Sequence, residues 1–154
     1  MINIQHANLS DLPMIESIYR ELFAHMAELQ PDYYLKASQD PAFIQTMIEA
    51  NDSALLIAKK DHSILGFIMA QEQATPSYNC IAPHKFAYIF DFVVTEQARG
   101  LGIGKQLINA IEAWAKSRNL DYIELSVLSN NTEAHKLYEN IGYTNATNIM
   151  RKSL

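Results

Sequence analysis

Cysteine is nearly absent from this chain. Cys80 stands alone among 154 residues, so no internal disulfide can form, and a reducing cytoplasm is the expected location. Positive charge is also short, with 12 lysines and arginines against 17 aspartates and glutamates and a formal net charge of −5. Nucleic-acid binding relies on a basic face that this composition does not offer. No apolar stretch approaches the roughly 20 residues needed to cross a bilayer. Met1 to Ser10 carries neither the basic start nor the apolar segment of a secretion signal. The histidines His6, His25, His62, His84 and His135 lie singly, without metal-ligand spacing, so no metal site is expected. The length suits one domain, residues 1–154.

Glycine is scarce too, yet three of the five glycines fall in Gly100-Leu101-Gly102-Ile103-Gly104. Bare backbone lets main-chain N–H groups converge on an anion. The segment also precedes an amphipathic helix whose unpaired N–H groups and positive dipole end would point at the same spot. A phosphate-bearing ligand is the expectation. A nucleoside-triphosphate loop would need glycine five residues before the Gly104-Lys105 pair and Ser or Thr after it; Arg99 and Gln106 stand there instead. A dinucleotide fingerprint needs G-x-G-x-x-G, and the chain reads G-x-G-x-G, although Glu124 lies at about the acidic position that fingerprint expects.

Periodicity supplies the elements. Ile2 and Ile4 alternate as a short strand would, and Ser10 or Asp11 can cap a helix with Pro13 in its first turn. Leu12, Ile15, Tyr19, Leu22, Phe23 and Met26 give that helix an apolar stripe. Asp40-Pro41 opens a second helix. Ala54–Lys59 and Ile64–Gln73 read as an antiparallel hairpin, followed by a proline-containing loop over Ala74–His84. Phe86–Val94 reads as a central strand with one charge, Asp91. Beyond the glycines, Ile103, Leu107, Ala110, Ile111 and Trp114 share one helical face, and Tyr122–Val127 alternates as a strand. Strand, helix and strand in that order imply a right-handed crossover and a parallel pair. Asn130 is expected to cap a last helix, with Glu133 closing a capping box and Gly142 ending it; Tyr143–Met150 is expected to supply the final strands.

Arg99, Gly102 and Gly104 fit the pattern Q/R-x-x-G-x-G/A, preceded by Phe92-Val93-Val94, and the run Asn131 to Tyr143 supplies a second matching segment. Together they resemble motifs A and B of the GNAT superfamily of acetyl-CoA-dependent N-acetyltransferases. The resemblance is strong from about Phe86 to Tyr143. It implies an α/β fold of the GNAT type: a twisted mixed sheet of about six to seven strands around a central parallel pair, with helices on both faces. It also implies that acetyl-CoA is the co-substrate, with the pantetheine arm beside Phe92, Val93 and Val94. The diphosphate would lie at Arg99, Gly100, Leu101, Gly102, Ile103, Gly104 and Lys105, and Asn131 would contact the cofactor, although asparagine there is also a common capping residue.

Tyr138 matches the motif B tyrosine that the family often uses as general acid toward the departing thiolate, although it also sits on that helix's apolar stripe. Asp91 is the implied general base, one residue beyond the position where many relatives carry glutamate and this chain carries Phe90; Glu72 is a second option, and loss of the amine proton to solvent a third. Cys80 would permit a covalent acetyl-cysteine route, but no surrounding signature supports an activated thiolate. The expected activity is transfer of acetyl to a primary amine, small-molecule or peptide, by direct attack in a ternary complex. Tyr33, Tyr34 and Tyr78 lie in irregular segments able to line the acceptor pocket. A homodimer is among the assemblies the resemblance implies. Two alternatives stand beside this reading: a non-catalytic acyl-CoA-binding domain of the same fold, and a nucleotide-binding oxidoreductase.

Overall fold

The computed structural model describes residues 1–154. Five strands form one sheet in sequential order: β1 (Asn3–His6), β2 (Ser53–Lys60), β3 (Ser63–Ala74), β4 (Lys85–Val94) and β5 (Ile123–Leu125). The first four are antiparallel to their neighbours, and β4 runs parallel to β5. Four helices complete the chain: α1 (Leu12–Leu29), α2 (Pro41–Glu49), α3 (Ile103–Ser117) and α4 (Thr132–Asn140).

Alternation along the strands divides the core in two. One face buries Leu55, Ile57, Phe67, Met69 and Val93 against Ile15, Ile18 and Tyr19 of α1 and Ile44 and Met47 of α2. The other buries Leu56, Ile68, Ala70 and Ile89 against Ile103, Leu107, Ile108 and Ile111 of α3. Helices therefore cover both faces, as expected, and the β4–α3–β5 crossover supplies the parallel pair. Truncating a fully buried side chain such as Ile111 to alanine would cost about 2–5 kcal/mol.

Three expectations are corrected. The sheet has five strands and not six to seven: Tyr143–Met150 forms no strand, and residues 144–154 are exposed throughout. That segment has the composition to explain this, since Thr144-Asn145-Ala146-Thr147-Asn148 offers only alanine as an apolar side chain. The parallel pair is consequently not central but lies at the sheet's end, with β5 as edge. Helix capping also differs. Asn8, not Ser10 or Asp11, makes the first capping box, its side chain accepting from Ser10 N while Asp11 accepts from Asn8 N. Asn131, not Asn130, caps α4. Asn130 instead donates its side-chain amide to the Leu29 carbonyl at 2.6 Å.

β4 carries a register shift that its residue types do not announce. Asp91 lies opposite Met69 and Ile89 opposite Ala70, so Phe90 is an extra residue, a β-bulge. Alternation resumes out of step beyond it. Ile89 and Phe92, three apart, both join the α3 face, and Tyr88, Phe90 and Asp91 all fall on the α1/α2 face.

Candidate active site

The parallel pairing of β4 with β5 lasts only from Ala87–Ile123 through Ile89–Leu125. On its other side β4 stays paired to β3 as far as Val94, opposite Gly66. From Phe90 to Val94 the strand therefore has an edge with no ladder partner. Buried backbone rarely lacks partners, so such an edge can accept an extended ligand. Gly66 keeps β3 close here: a Cβ at that position would lie 2.6 Å from the Val93 carbonyl oxygen.

The open edge leads into the glycine turn. Thr95 N donates to the Leu65 carbonyl and Glu96 N to Glu21 Oε1 at 2.7 Å, which ties the turn to β3 and α1. Gly100 and Gly102 have φ of +80° and +76°, left-handed values that residues with a Cβ rarely adopt. Gly102 is the N-cap of α3, with no side chain to cap the helix, so the first-turn N–H groups at Ile103, Gly104 and Lys105 keep no intrahelical acceptor. Open space faces both Gly100 and Gly102. Arg99, Leu101 and Lys105 flank the turn with exposed side chains, whereas Ile103 is buried as its anchor. An uncapped helix start with exposed glycines fits an anionic group such as a diphosphate.

Tyr138 reaches this region from α4, its ring centroid 6.3 Å from that of Phe92 and 5.7 Å from that of Tyr143. Burial pushes its hydroxyl up to about 12, so the phenol remains a proton donor throughout the neutral range. Asn131 sits at the start of the same helix, its side-chain oxygen 3.3 Å from Ala134 N and thus engaged in the cap. Leu137 is also close, its Cδ2 3.8 Å from the position of a Cβ on Gly104.

Asp91 lies on the opposite face of β4. Tyr19 of α1 donates its hydroxyl to Asp91 Oδ2 at 2.5 Å. Burial raises the Asp91 carboxyl to about 6, against the lowering effect of that hydrogen bond. Burial and the Asp91 charge hold Tyr19 far above the ordinary phenol range, and it stays neutral. Tyr19 appeared in the sequence only as part of an apolar stripe. Its partner is 72 positions away, and no local pattern announces it.

The other candidates lie apart. Glu72 is paired with Arg118 at 2.8 Å, by an open cleft of about 300 Å³ shared with Asp52 and Lys85. A second cleft, about 380 Å³, runs along α4 past Ser129, Thr132, His135 and Lys136. Cys80 is exposed in the 75–84 loop, and Tyr78 with it. Tyr33 is covered by Arg151, whose guanidinium carbon lies 3.9 Å from the ring centroid. Nowhere do three His, Cys, Asp or Glu side chains converge to hold a metal ion. No helix is long and apolar enough to cross a membrane.

Known proteins resemble this chain in sequence and in fold. The chain is similar over 99% of its length to YhfO of Bacillus subtilis, named an uncharacterized N-acetyltransferase, at 26% identity and 97% coverage of that protein. An N-alpha-acetyltransferase of Sulfurisphaera tokodaii is 28% identical over 91% of this chain and 78% of its own. Among solved structures, a mutant of the BH1408 protein from Bacillus halodurans superposes with a TM-score of 0.94 at 23% identity, covering 99% of both chains. The aminoglycoside N-acetyltransferase AAC(6')-Iy, solved in complex with CoA, superposes at 0.75 with 18% identity, covering 99% of this chain and 98% of that one. These superpositions establish the fold. The model of the acetyltransferase (GNAT) family matches residues 15–143, from within α1 past the end of α4 with the glycine turn between them, and the chain belongs to that family.

Proposed function

We infer that residues 1–154 act as one acetyltransferase domain that moves acetyl from acetyl-CoA to a primary amine by direct attack in a ternary complex. The observation that carries this reading is the loss of β4's partner at Ile89, while the strand continues to Val94 and into an uncapped, glycine-rich helix start. Main-chain groups of Phe92, Val93 and Val94 would take the pantetheine arm as an added strand. The N–H groups from Gly100 to Lys105, with the Arg99 and Lys105 side chains, would hold the diphosphate. With its side chain engaged in capping α4, Asn131 would position that helix beside the cofactor.

Bound acetyl-CoA supplies the activated carbonyl and a good leaving group. The chain's residues manage the protons. Asp91, as carboxylate, accepts a proton from the ammonium or from the attacking amine, directly or through one water. The amine nitrogen then bonds to the acetyl carbon, the carbon–sulfur bond breaks, and Tyr138 gives its proton to the departing sulfur. The rest of the rate comes from holding the two reactants together. Location in the cytoplasm and assembly as a homodimer accompany this reading.

Tyr138→Phe keeps the ring and removes the proton. Its kcat should fall by about 100-fold or more, while calorimetry finds CoA affinity unchanged; unaltered turnover would remove Tyr138 from the mechanism. Thiol release from acetyl-CoA across a panel of amines tests the activity as a whole. Binding of acetyl-CoA without release would instead support a non-catalytic acyl-CoA-binding domain. The oxidoreductase alternative falls with the family match. The covalent route through Cys80 predicts ping-pong kinetics, and an active Cys80→Ala protein would dispose of it.

A further inference from the structure

The bulge at Phe90 does more than re-aim Asp91. It sets an aromatic side chain immediately beside the carboxylate, on the same face of the sheet. Phe90 is 37% exposed, unusual for a large apolar residue in the interior of a strand. It is not solitary. Tyr88, two residues earlier, meets it edge-on with ring centroids 5.2 Å apart, and Phe43 of α2 meets it edge-on at 6.2 Å. Both neighbours are partly exposed. The Tyr88 hydroxyl is fixed by Ser126 at 3.1 Å, so that ring is anchored just where β5 leaves β4. Three rings thus make a partly open apolar wall ending at a carboxyl oxygen.

Two carboxylates stand by this wall: Asp91 at one end and, on β5, the exposed Glu124, the rung partner of Tyr88. An acceptor with three or more ammonium groups would outnumber these two carboxylates beside three aromatic rings, leaving the remainder unpaired at the cost of their desolvation. An amine with one nitrogen and a flat apolar body meets a partner at each end: ring edges and faces for the body, and the carboxylate for the nitrogen.

We propose that the acceptor is a monoamine carrying an aromatic or similarly flat apolar group, which lies on Phe90, Phe43 and Tyr88 and presents its nitrogen to Asp91. This specificity rests on the acetyltransferase reading above. The reaction is the same transfer: the amine nitrogen bonds to the acetyl carbon, the thioester bond breaks, and the amine proton passes to Asp91.

The test compares kcat/KM for phenethylamine, n-butylamine, spermidine and kanamycin with acetyl-CoA, in the native protein and in Phe90→Ala and Phe90→Leu. Calorimetric titration of phenethylamine into the CoA-loaded protein runs in parallel. Phenethylamine should be preferred over n-butylamine and over both polycations. Phe90→Ala should raise its KM by about tenfold and erase the preference over n-butylamine, with Phe90→Leu intermediate and the KM for acetyl-CoA unchanged. Preference for either polycation, or a phenethylamine to n-butylamine ratio untouched by Phe90→Ala, overturns the proposal. Absence of thiol release with every amine overturns the acetyltransferase reading instead. In that event the titration still decides the wall: Phe90-dependent heat supports it, and no heat overturns it.

Discussion

Asp91, the proposed base, is a side chain whose burial comes at the expense of stability. Its carboxyl rises from 3.8 to about 6 in the fold, chiefly through burial. The folded chain therefore holds that proton more tightly than the unfolded one, and stability declines as pH climbs between those two values. Asp91→Asn escapes the decline while retaining an acceptor for the Tyr19 hydroxyl. Thermal denaturation at pH 8 should find the variant more stable by about 1–3 kcal/mol, with the difference vanishing below pH 4. Its kcat/KM should fall by about 100-fold, and that of the native protein should fall below pH 6 as the base is protonated.

Tyr19→Phe acts in the opposite sense on the titration. It removes the hydrogen bond that favours the carboxylate, so the acid limb of the kcat/KM profile should move to higher pH while the KM for acetyl-CoA stays put. A limb that does not move would leave Tyr19 with a packing role alone. At this scale the sequence was half legible. Asp91 stood out as the one charge in an apolar strand, and Tyr138 through its motif. Tyr19 and Phe90 did not, because one depends on a contact across 72 positions and the other on a register shift that no residue type announces.

Among the elements, the β4–turn–α3 unit carries most of the candidate site. Gly102 holds a left-handed φ of +76° at the helix start, where a Cβ would have space but not the right backbone energy. Gly102→Ala should therefore destabilise the fold by about 1–2 kcal/mol in denaturant melts. It should also weaken CoA binding in calorimetry, since the relaxed turn would no longer aim its N–H groups together. Helices α1, α2 and α3 and the β2–β3 hairpin were readable because each has a clean period and a recognisable start or stop. In the last third β5 and α4 were readable too, although neither contains a fully buried residue; only the strands expected after Tyr143 failed, because that segment has polar sequence where a ladder would need apolar faces. The choice between Asn130 and Asn131 as cap turned on Asn130's bond to Leu29, a contact between distant segments.

For the molecule as a whole, the disposition of Asp91 and Tyr138 is the decisive arrangement. Asp91 faces α1 and α2, and Tyr138 packs with Phe92 on the side of α3. If the amine is received on the first side and the thioester on the second, neither blocks the approach of the other. Product inhibition should report this: free CoA should compete with acetyl-CoA yet act noncompetitively toward the amine. Mutual competition would mean a shared passage.

On that arrangement the sheet would work as a wall with a window rather than as the floor of a funnel. Traffic in two reactants would need no queue, because each would have its own door and they would meet only at the gap where two neighbouring strands part company. A small molecule designed to jam this protein could be built from either side alone. One that reaches through the opening would gain the advantage of both addresses at once.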